Sequence, residues 1–174
     1  MAFRLFQRSR AREDAERLLA AVTRVSRQPS FFGPERVADT LEGRFELMTV
    51  NAALALIRLG KTLDSAPLGQ EFTDLLFRYF DAGLREAAVG DLTVPKRMRK
   101  VAGAFYGRLE VYGRALAGVD GNELSQALAR NVLAEESAGF APALAAYMIE
   151  TARLQHDAPL EHLFSQDGWG TAPG

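Results

Sequence analysis

The sequence of 174 residues contains no cysteine and only two histidines. Without cysteine, the chain has no disulfide bond, no thiolate nucleophile and no zinc site built from cysteine. His156 and His162 are six residues apart, whereas two metal ligands on one helix face need a spacing of four, so both are predicted to be surface residues. The sequence also lacks a GxxxxGK loop and a GxGxxG motif, the usual nucleotide-binding signals. We therefore expect no catalytic residue, no metal site and no cofactor, and the chain is not predicted to be an enzyme.

Long hydrophobic runs are also missing. The longest stretches without a formal charge are residues 137–149 and 47–57, which hold 13 and 11 residues, whereas a membrane-spanning helix needs about 20. The formal net charge is −1, so no overall field attracts nucleic acid, and DNA is not an expected partner. The composition is typical of one globular domain.

Apolar residues recur at helical spacing along most of the chain, and no segment shows the alternation typical of a strand. This pattern predicts helices over residues 13–27, 40–59, 70–89, 94–117, 122–135 and 139–155, with a last turn at 159–164. The predicted fold is all-α: a single-domain helical bundle of about six to seven helices.

The predicted organisation has three parts: a basic N-terminal segment (1–12), a helical domain (13–165) and a flexible tail (166–174). The first part carries Arg4, Arg8, Arg10 and Arg12 and no acid. It is either a tether to an anionic membrane surface or a frayed terminus. We expect a cytoplasmic protein, placed peripherally at the inner membrane if the tether exists. Trp169 in the tail either folds back or contacts a partner.

Two local patterns add detail. Asp39 is predicted to cap the helix over residues 40–59, and that helix is apolar on more than one face, as expected of a central helix in a bundle. Phe31 and Phe32 are predicted to pin the preceding elbow to the core, because exposing two phenylalanines would be unfavourable.

A dense basic cluster opens the helix over residues 94–117. Thr93 and Pro95 are helix start signals, and four cations stand beside them: Lys96, Arg97, Arg99 and Lys100. A helix N-terminus carries partial positive charge, so each exposed cation there opposes helix stability by roughly 0.3–1 kcal/mol. The cluster is either a solvated face or a site for an anionic partner, which could be lipid headgroups, RNA phosphate or an acidic protein.

The same helix has an apolar stripe with steps of three and four residues, and on a neighbouring face Gly103 and Gly107 stand one turn apart. Each glycine costs up to about 1 kcal/mol of helix propensity relative to alanine. The pair indicates either tight packing on another helix of this chain, which we favour in water, or docking space for a partner. Phe77 belongs to an aromatic group that either fills the core or forms the wall of an apolar groove.

Several motifs, in a fixed order along the chain, carry a resemblance to a known family. Residues 39–46 contain DT and GRFE, residues 89–94 read VGDLTV before the basic run, residues 104–108 read AFYGR, and residues 130–131 are Arg-Asn. With these motifs the sequence resembles the ubiquinol–cytochrome c chaperone family over about residues 13–150. Because little sequence precedes this region, the chain resembles a bacterial member.

The resemblance implies an all-α chaperone that binds newly synthesised cytochrome b and assists assembly of ubiquinol–cytochrome c reductase; for mitochondrial members it also implies a ribosome contact. We expect the partner-binding residues on the helices over 70–89 and 94–116, which would form an apolar groove with a basic rim. These residues are Lys96, Arg97, Arg99, Lys100, Gly103, Phe105, Tyr106, Gly107, Arg108 and Phe77. Two alternatives stay open: a helical lipid- or quinone-binding carrier with an enclosed pocket, and an RNA-contacting module.

Overall fold

A computed structural model describes residues 2–87, 93–118, 121–133 and 135–173. Within these ranges the chain forms helices and no β-strand, which confirms the all-α prediction. The α-helices are α1 (Ala2–Ser26), α2 (Leu41–Leu59), α3 (Ala66–Glu86), α4 (Val94–Ala117), α5 (Gly121–Asn131) and α6 (Ala141–His156). Short 3-10 helices lie at Pro29–Phe31, Glu135–Phe140 and Leu160–Phe164. In the described part of the chain, no helix combines the length and hydropathy needed to cross a bilayer.

The central helix is α2, as its sequence predicts. Its residues from Leu47 to Ala55 are all buried, and it packs against α1, α3, α4 and α6. Asn51 is a polar residue in this run, and its amide Nδ2 donates to the Ser26 hydroxyl and to the Leu47 carbonyl, both at 3.0 Å. Its Oδ1 accepts a 2.6 Å hydrogen bond from the Tyr147 hydroxyl. A helix that is apolar all round is therefore enclosed, and its buried amide is satisfied.

The first helix is longer than predicted. It begins at Ala2 instead of residue 13, so the basic N-terminal segment is part of α1. Arg10 pairs with Asp14 at 3.9 Å and Arg12 pairs with Glu16 at 3.3 Å, both at a spacing of four residues. Such pairs support helix formation by roughly 0.2–0.5 kcal/mol each, which explains why the helix continues through this region.

The capping residue of α2 is Thr40, and the prediction of Asp39 was wrong by one position. The Thr40 hydroxyl accepts a 3.1 Å hydrogen bond from the backbone N–H of Gly43. The Asp39 carboxylate instead pairs with Arg44 at 2.7 Å, and the Arg44 guanidinium lowers the pKa of Asp39.

The other helix boundaries differ from the prediction by a few residues. α3 begins at Ala66 instead of residue 70, because Pro67 fits the first turn, where its missing N–H is not needed. α5 ends at Asn131, and the chain continues through Glu135–Phe140 before α6 begins. The predicted end of the third helix at residue 89 and the VGDL part of the family motif lie outside the described residues.

Two aromatic residues from outside the α-helices are buried in the bundle. Phe31 is buried with its ring edge-on to Tyr147 at 5.1 Å, which confirms the predicted elbow. Trp169 is only 4% exposed, and its indole N–H donates to the Leu163 carbonyl at 3.2 Å. The next residue, Gly170, donates its N–H to the Thr151 hydroxyl at 3.1 Å. Residues 166–173 therefore pack against α6, in contrast to the predicted flexible tail, because Trp169 buries a large apolar surface there.

Candidate functional site

The inner face of α4 is the apolar stripe that its sequence predicts. Val94, Phe105 and Tyr112 are buried, and the remaining members of the stripe are half-buried: Met98, Val101, Leu109 and Leu116. Phe105 was expected to contact a partner, but it is 1% exposed and belongs to the core. Its spacing of four residues from Val101 and from Leu109 places it on the buried face.

The opposite face of α4 carries the basic cluster. Its four cations, Lys96, Arg97, Arg99 and Lys100, are exposed. In the described ranges no carboxylate lies within ion-pair distance of any of them, whereas Arg114 on the same helix has Glu123 at 3.6 Å. The positive charge therefore adds to the positive end of the helix dipole without a described intramolecular partner.

The two glycines also lie on this outer face. Lys96, Lys100, Gly103 and Gly107 follow one another at steps of four, three and four residues, so they form a single stripe opposite the core. A Cβ atom placed on either glycine would have no neighbour within 4 Å. The tight intramolecular packing that we favoured from sequence is therefore wrong. The glycines leave an open notch of bare backbone on the surface.

An aromatic patch borders the notch. Tyr106 is 53% exposed, and its ring lies 5.9 Å from the ring of Phe77 on α3. Phe77 is half-buried and lies 5.5 Å from Phe105, so these rings lead from the surface into the core. Phe77 and Phe105 fill the space between α3 and α4, and the surface there is a patch instead of a groove. We use "the α4 face" for Lys96, Arg97, Arg99, Lys100, Gly103, Tyr106 and Gly107, together with Phe77.

Arg108 was expected on this face, but it points inward. Its Nη2 donates to Glu46 Oε1 on α2 at 2.7 Å and to the Asn131 carbonyl on α5 at 3.4 Å. The exposed fractions of the Arg108 and Glu46 side chains are 17% and 25%. The GRFE, AFYGR and Arg-Asn motifs, distant in sequence, therefore meet at one point. Arg108 joins three helices and is not free for a partner.

Glu46 was missed by sequence reasoning. Burial raises the pKa of its carboxyl to about 7, and the attraction of Arg108, which lowers the pKa, only partly opposes this effect. Burial also raises the pKa of the Tyr112 phenol, and the Glu46 charge adds to that increase. Within the described residues, Glu46 Oε2 and Arg108 Nε have no hydrogen-bond partner. The sequence does contain a signal for its burial, because Glu46 directly precedes the uncharged run of the central helix.

The remaining predicted residues lie on other elements. Arg4, Arg8, Arg10 and Arg12 all lie on α1, and the last two have acidic partners on the same helix. His156 at the end of α6 is exposed, and His162 is half-buried. Among the residues that the structure describes, no group of three potential metal ligands comes together.

Comparison with known proteins agrees with the fold and with the motifs. The family described as ubiquinol-cytochrome C chaperone matches residues 35–168, a range that contains Glu46, the α4 face and Asn131. The crystal structure of the Cbp3 homolog from Brucella abortus is similar, with a TM-score of 0.80 and 36% sequence identity, over 97% of this chain and 94% of that chain. No curated protein matches the sequence. These matches show that the chain belongs to the ubiquinol–cytochrome c chaperone family.

Proposed function

We propose that this protein is an assembly chaperone for ubiquinol–cytochrome c reductase, and that it binds newly synthesised cytochrome b through the α4 face. Membership of the chaperone family supports the assembly role. The observation that carries the location is the open notch at Gly103 and Gly107, which lies between the basic cluster and the exposed ring of Tyr106. The proposed activity is binding and release, without chemical turnover.

The chemistry of the α4 face suits an apolar helical client. A client helix can approach the backbone of α4 closely at Gly103 and Gly107, as helices do where small residues meet. Tyr106 and Phe77 supply aromatic surface beside the notch. The cations of the basic cluster then meet acidic client loops or the anionic membrane surface, where each contributes about 1 kcal/mol.

The alternatives have less support. A lipid or quinone carrier encloses most of its ligand in a pocket, whereas the cleft between α2, α4 and α6 is open to solvent. An RNA-contacting module, or a ribosome contact by the chaperone itself, would use the same cations. Binding of that kind should weaken steeply with added salt, because each phosphate contact releases a counterion.

Site-specific photo-crosslinking tests the proposed location. A crosslinker placed at Tyr106 or Lys100, both exposed on the α4 face, should capture cytochrome b in cells that are synthesising it. Gln126 on α5 is also exposed and serves as the matched control position. Capture from Gln126 at the same level would show that the α4 face is not the binding site. If neither Tyr106 nor Lys100 captures cytochrome b, the proposed client is wrong.

A further inference from the structure

A second surface lies at the opposite end of α4 from the basic cluster. It is a groove of about 700 Å³ between α2, α4 and α6, open to solvent, which we call the α6 groove. Its apolar lining includes Leu54, Ile57, Leu116 and Ile149. Ile149 is 43% exposed, which leaves a large aliphatic side chain partly uncovered. The groove thus offers an apolar surface without a described occupant from this chain.

The polar residues of the α6 groove are mainly basic. Arg58, Lys61, Arg153 and His156 line it, and among the described residues no aspartate or glutamate does. Glu150 neutralises Arg153 through two hydrogen bonds, at 2.8 and 2.9 Å. Lys61 is exposed and has no acidic partner in the part of the chain that the structure describes. The described lining of the groove therefore carries a net positive charge, from Arg58 and Lys61.

Arg58 is half-buried, whereas Lys61 and Arg153 are exposed. The Arg58 guanidinium donates to the Gln155 carbonyl, to the Thr62 hydroxyl and to the Ala158 carbonyl, all of which are uncharged acceptors. The Gln155 carbonyl lies in the last turn of α6 and the Ala158 carbonyl lies just beyond it, where the helix dipole supplies about half a negative charge. Part of the Arg58 charge stays uncompensated in a half-buried position. A bound anion beside the apolar lining would complete this site.

We propose that the α6 groove binds one acidic phospholipid molecule, with its phosphate at Arg58 and Lys61 and one acyl chain along Ile57, Leu116 and Ile149. An acyl chain fits because it needs no hydrogen-bond partners. An extended peptide fits less well, because the Gln155 carbonyl is occupied by Arg58 and the Gln155 amide donates to the Gly168 carbonyl. This inference does not depend on the identity of the client.

The two surfaces can be tested separately. Met98 beside the basic cluster and Leu116 in the α6 groove are about 27 Å apart along the axis of α4, at 1.5 Å per residue. A substitution in the α6 groove therefore leaves the α4 face unchanged. Loss of lipid binding should therefore leave client capture unchanged, and loss of client capture should leave lipid binding unchanged.

Vesicle sedimentation with the full-length protein is the first test. Vesicles that contain phosphatidylglycerol should bind the protein, and vesicles of phosphatidylcholine alone should not. Lys61→Ala should weaken binding about fivefold, the value of one cation near an anionic surface. Ile149→Ser should weaken it about tenfold, through lost apolar contact with the chain. Arg130→Ala, which removes an exposed cation of α5 outside both surfaces, is the matched control and should bind within about twofold of wild type. Thermal melting checks that each variant is folded.

Photolabelling locates the bound lipid. Phosphatidylglycerol with a diazirine in its acyl chain should label peptides that contain Leu116 or Ile149, and excess inorganic phosphate should not prevent it. The proposal is wrong if the protein binds no vesicles or binds phosphatidylglycerol and phosphatidylcholine vesicles equally. It is also wrong if the Lys61→Ala and Ile149→Ser variants bind as tightly as wild type. It is also wrong if the label lies on the basic first turns of α1 or on the α4 face.

Discussion

Arg108 and Glu46 form an ion pair of 2.7 Å although 62 residues separate them in the sequence. The pair joins α4 to α2, and the contact of Arg108 with the Asn131 carbonyl adds α5. Arg108 directly follows Gly107, so the pair fixes the helix segment that presents the open notch. The proposed client-binding face and the buried polar cluster thus share one turn of α4.

The Glu46 carboxyl predicts how stability depends on pH. Its pKa of about 7 in the folded protein exceeds the ordinary value of 4.5, so the folded state binds the additional proton between these two values. The contribution of Glu46 to the free energy of unfolding is therefore full below pH 4.5 and is lost as the pH rises through 7. From pH 5 to pH 8 we expect a decrease of roughly 2–3 kcal/mol from this group.

Denaturant unfolding of wild type and Glu46→Gln at both pH values measures the effect. The variant has no carboxyl to titrate, so its stability should change less over this range. Parallel pH profiles for the two proteins would show that burial of Glu46 does not control the dependence.

Gly43 is required by the tight entry into α2. A Cβ atom at this position would lie 2.0 Å from the backbone carbonyl oxygen of Ala38, and neither atom can move without shifting the chain. Gly43→Ala should lower the free energy of unfolding by about 1–3 kcal/mol. Gly69→Ala is the control, because its Cβ would meet only a Leu56 methyl group at 3.9 Å. Thermal melting of both variants provides the comparison, and equal melting temperatures would contradict this explanation.

The open notch predicts that stability and client binding change in opposite directions. Gly103→Ala and Gly107→Ala should each raise the free energy of unfolding by up to about 1 kcal/mol, because alanine favours a helix and nothing obstructs its methyl group. The same methyl groups would keep a client helix away from α4, so crosslinking of cytochrome b at Tyr106 should decrease.

Gly113→Ala is the matched control for this experiment. Gly113 lies on another face of α4, where a methyl group would make an ordinary contact with Ile57 at 3.7 Å. This variant should also be stabilised but should keep its crosslinking yield. If Gly103→Ala and Gly107→Ala are stabilised and capture cytochrome b as well as wild type, the notch does not contact the client.

Trp169 predicts that the C-terminal residues stabilise the bundle. Trp169→Ala should lower the free energy of unfolding by about 3–5 kcal/mol, because it removes a large buried ring. Trp169→Phe keeps most of that volume and loses the hydrogen bond to Leu163, so its effect should be smaller. Circular dichroism during chemical unfolding gives both values. An unchanged midpoint for Trp169→Ala would mean that residues 166–173 act as a flexible tail after all.

The helices were largely predictable because the spacing of apolar residues along the sequence specifies which face of each helix is buried. The stripe from Val94 to Leu116 and the continuous apolar run of α2 each specify a buried face from neighbours three and four residues away. The boundaries were less predictable because several residue types compete for the same role. Asp39 and Thr40 are both good capping residues, and Arg44 attracts the aspartate, which leaves the threonine as the cap.

The site was less predictable because its important features are tertiary. A glycine has no side chain to indicate whether it faces a neighbouring helix or solvent, so Gly103 and Gly107 were placed on the wrong kind of surface. Arg108 belongs to a sequence motif beside exposed Tyr106, but its partner Glu46 is identified only when α2 lies next to α4. Trp169 follows a polar segment, and its burial depends on contacts with Leu163 that the sequence pattern does not show.

The most direct test of the proposed function is complementation in cells that lack the chaperone gene, measuring cytochrome b and assembled ubiquinol–cytochrome c reductase. Wild type should restore both. A variant with Lys100→Glu and Tyr106→Glu on the α4 face should fold but restore neither. The control with Gln126→Glu and Arg130→Glu, which changes exposed residues of α5, should restore both. Normal assembly without the gene, or with the α4-face variant, would contradict the account.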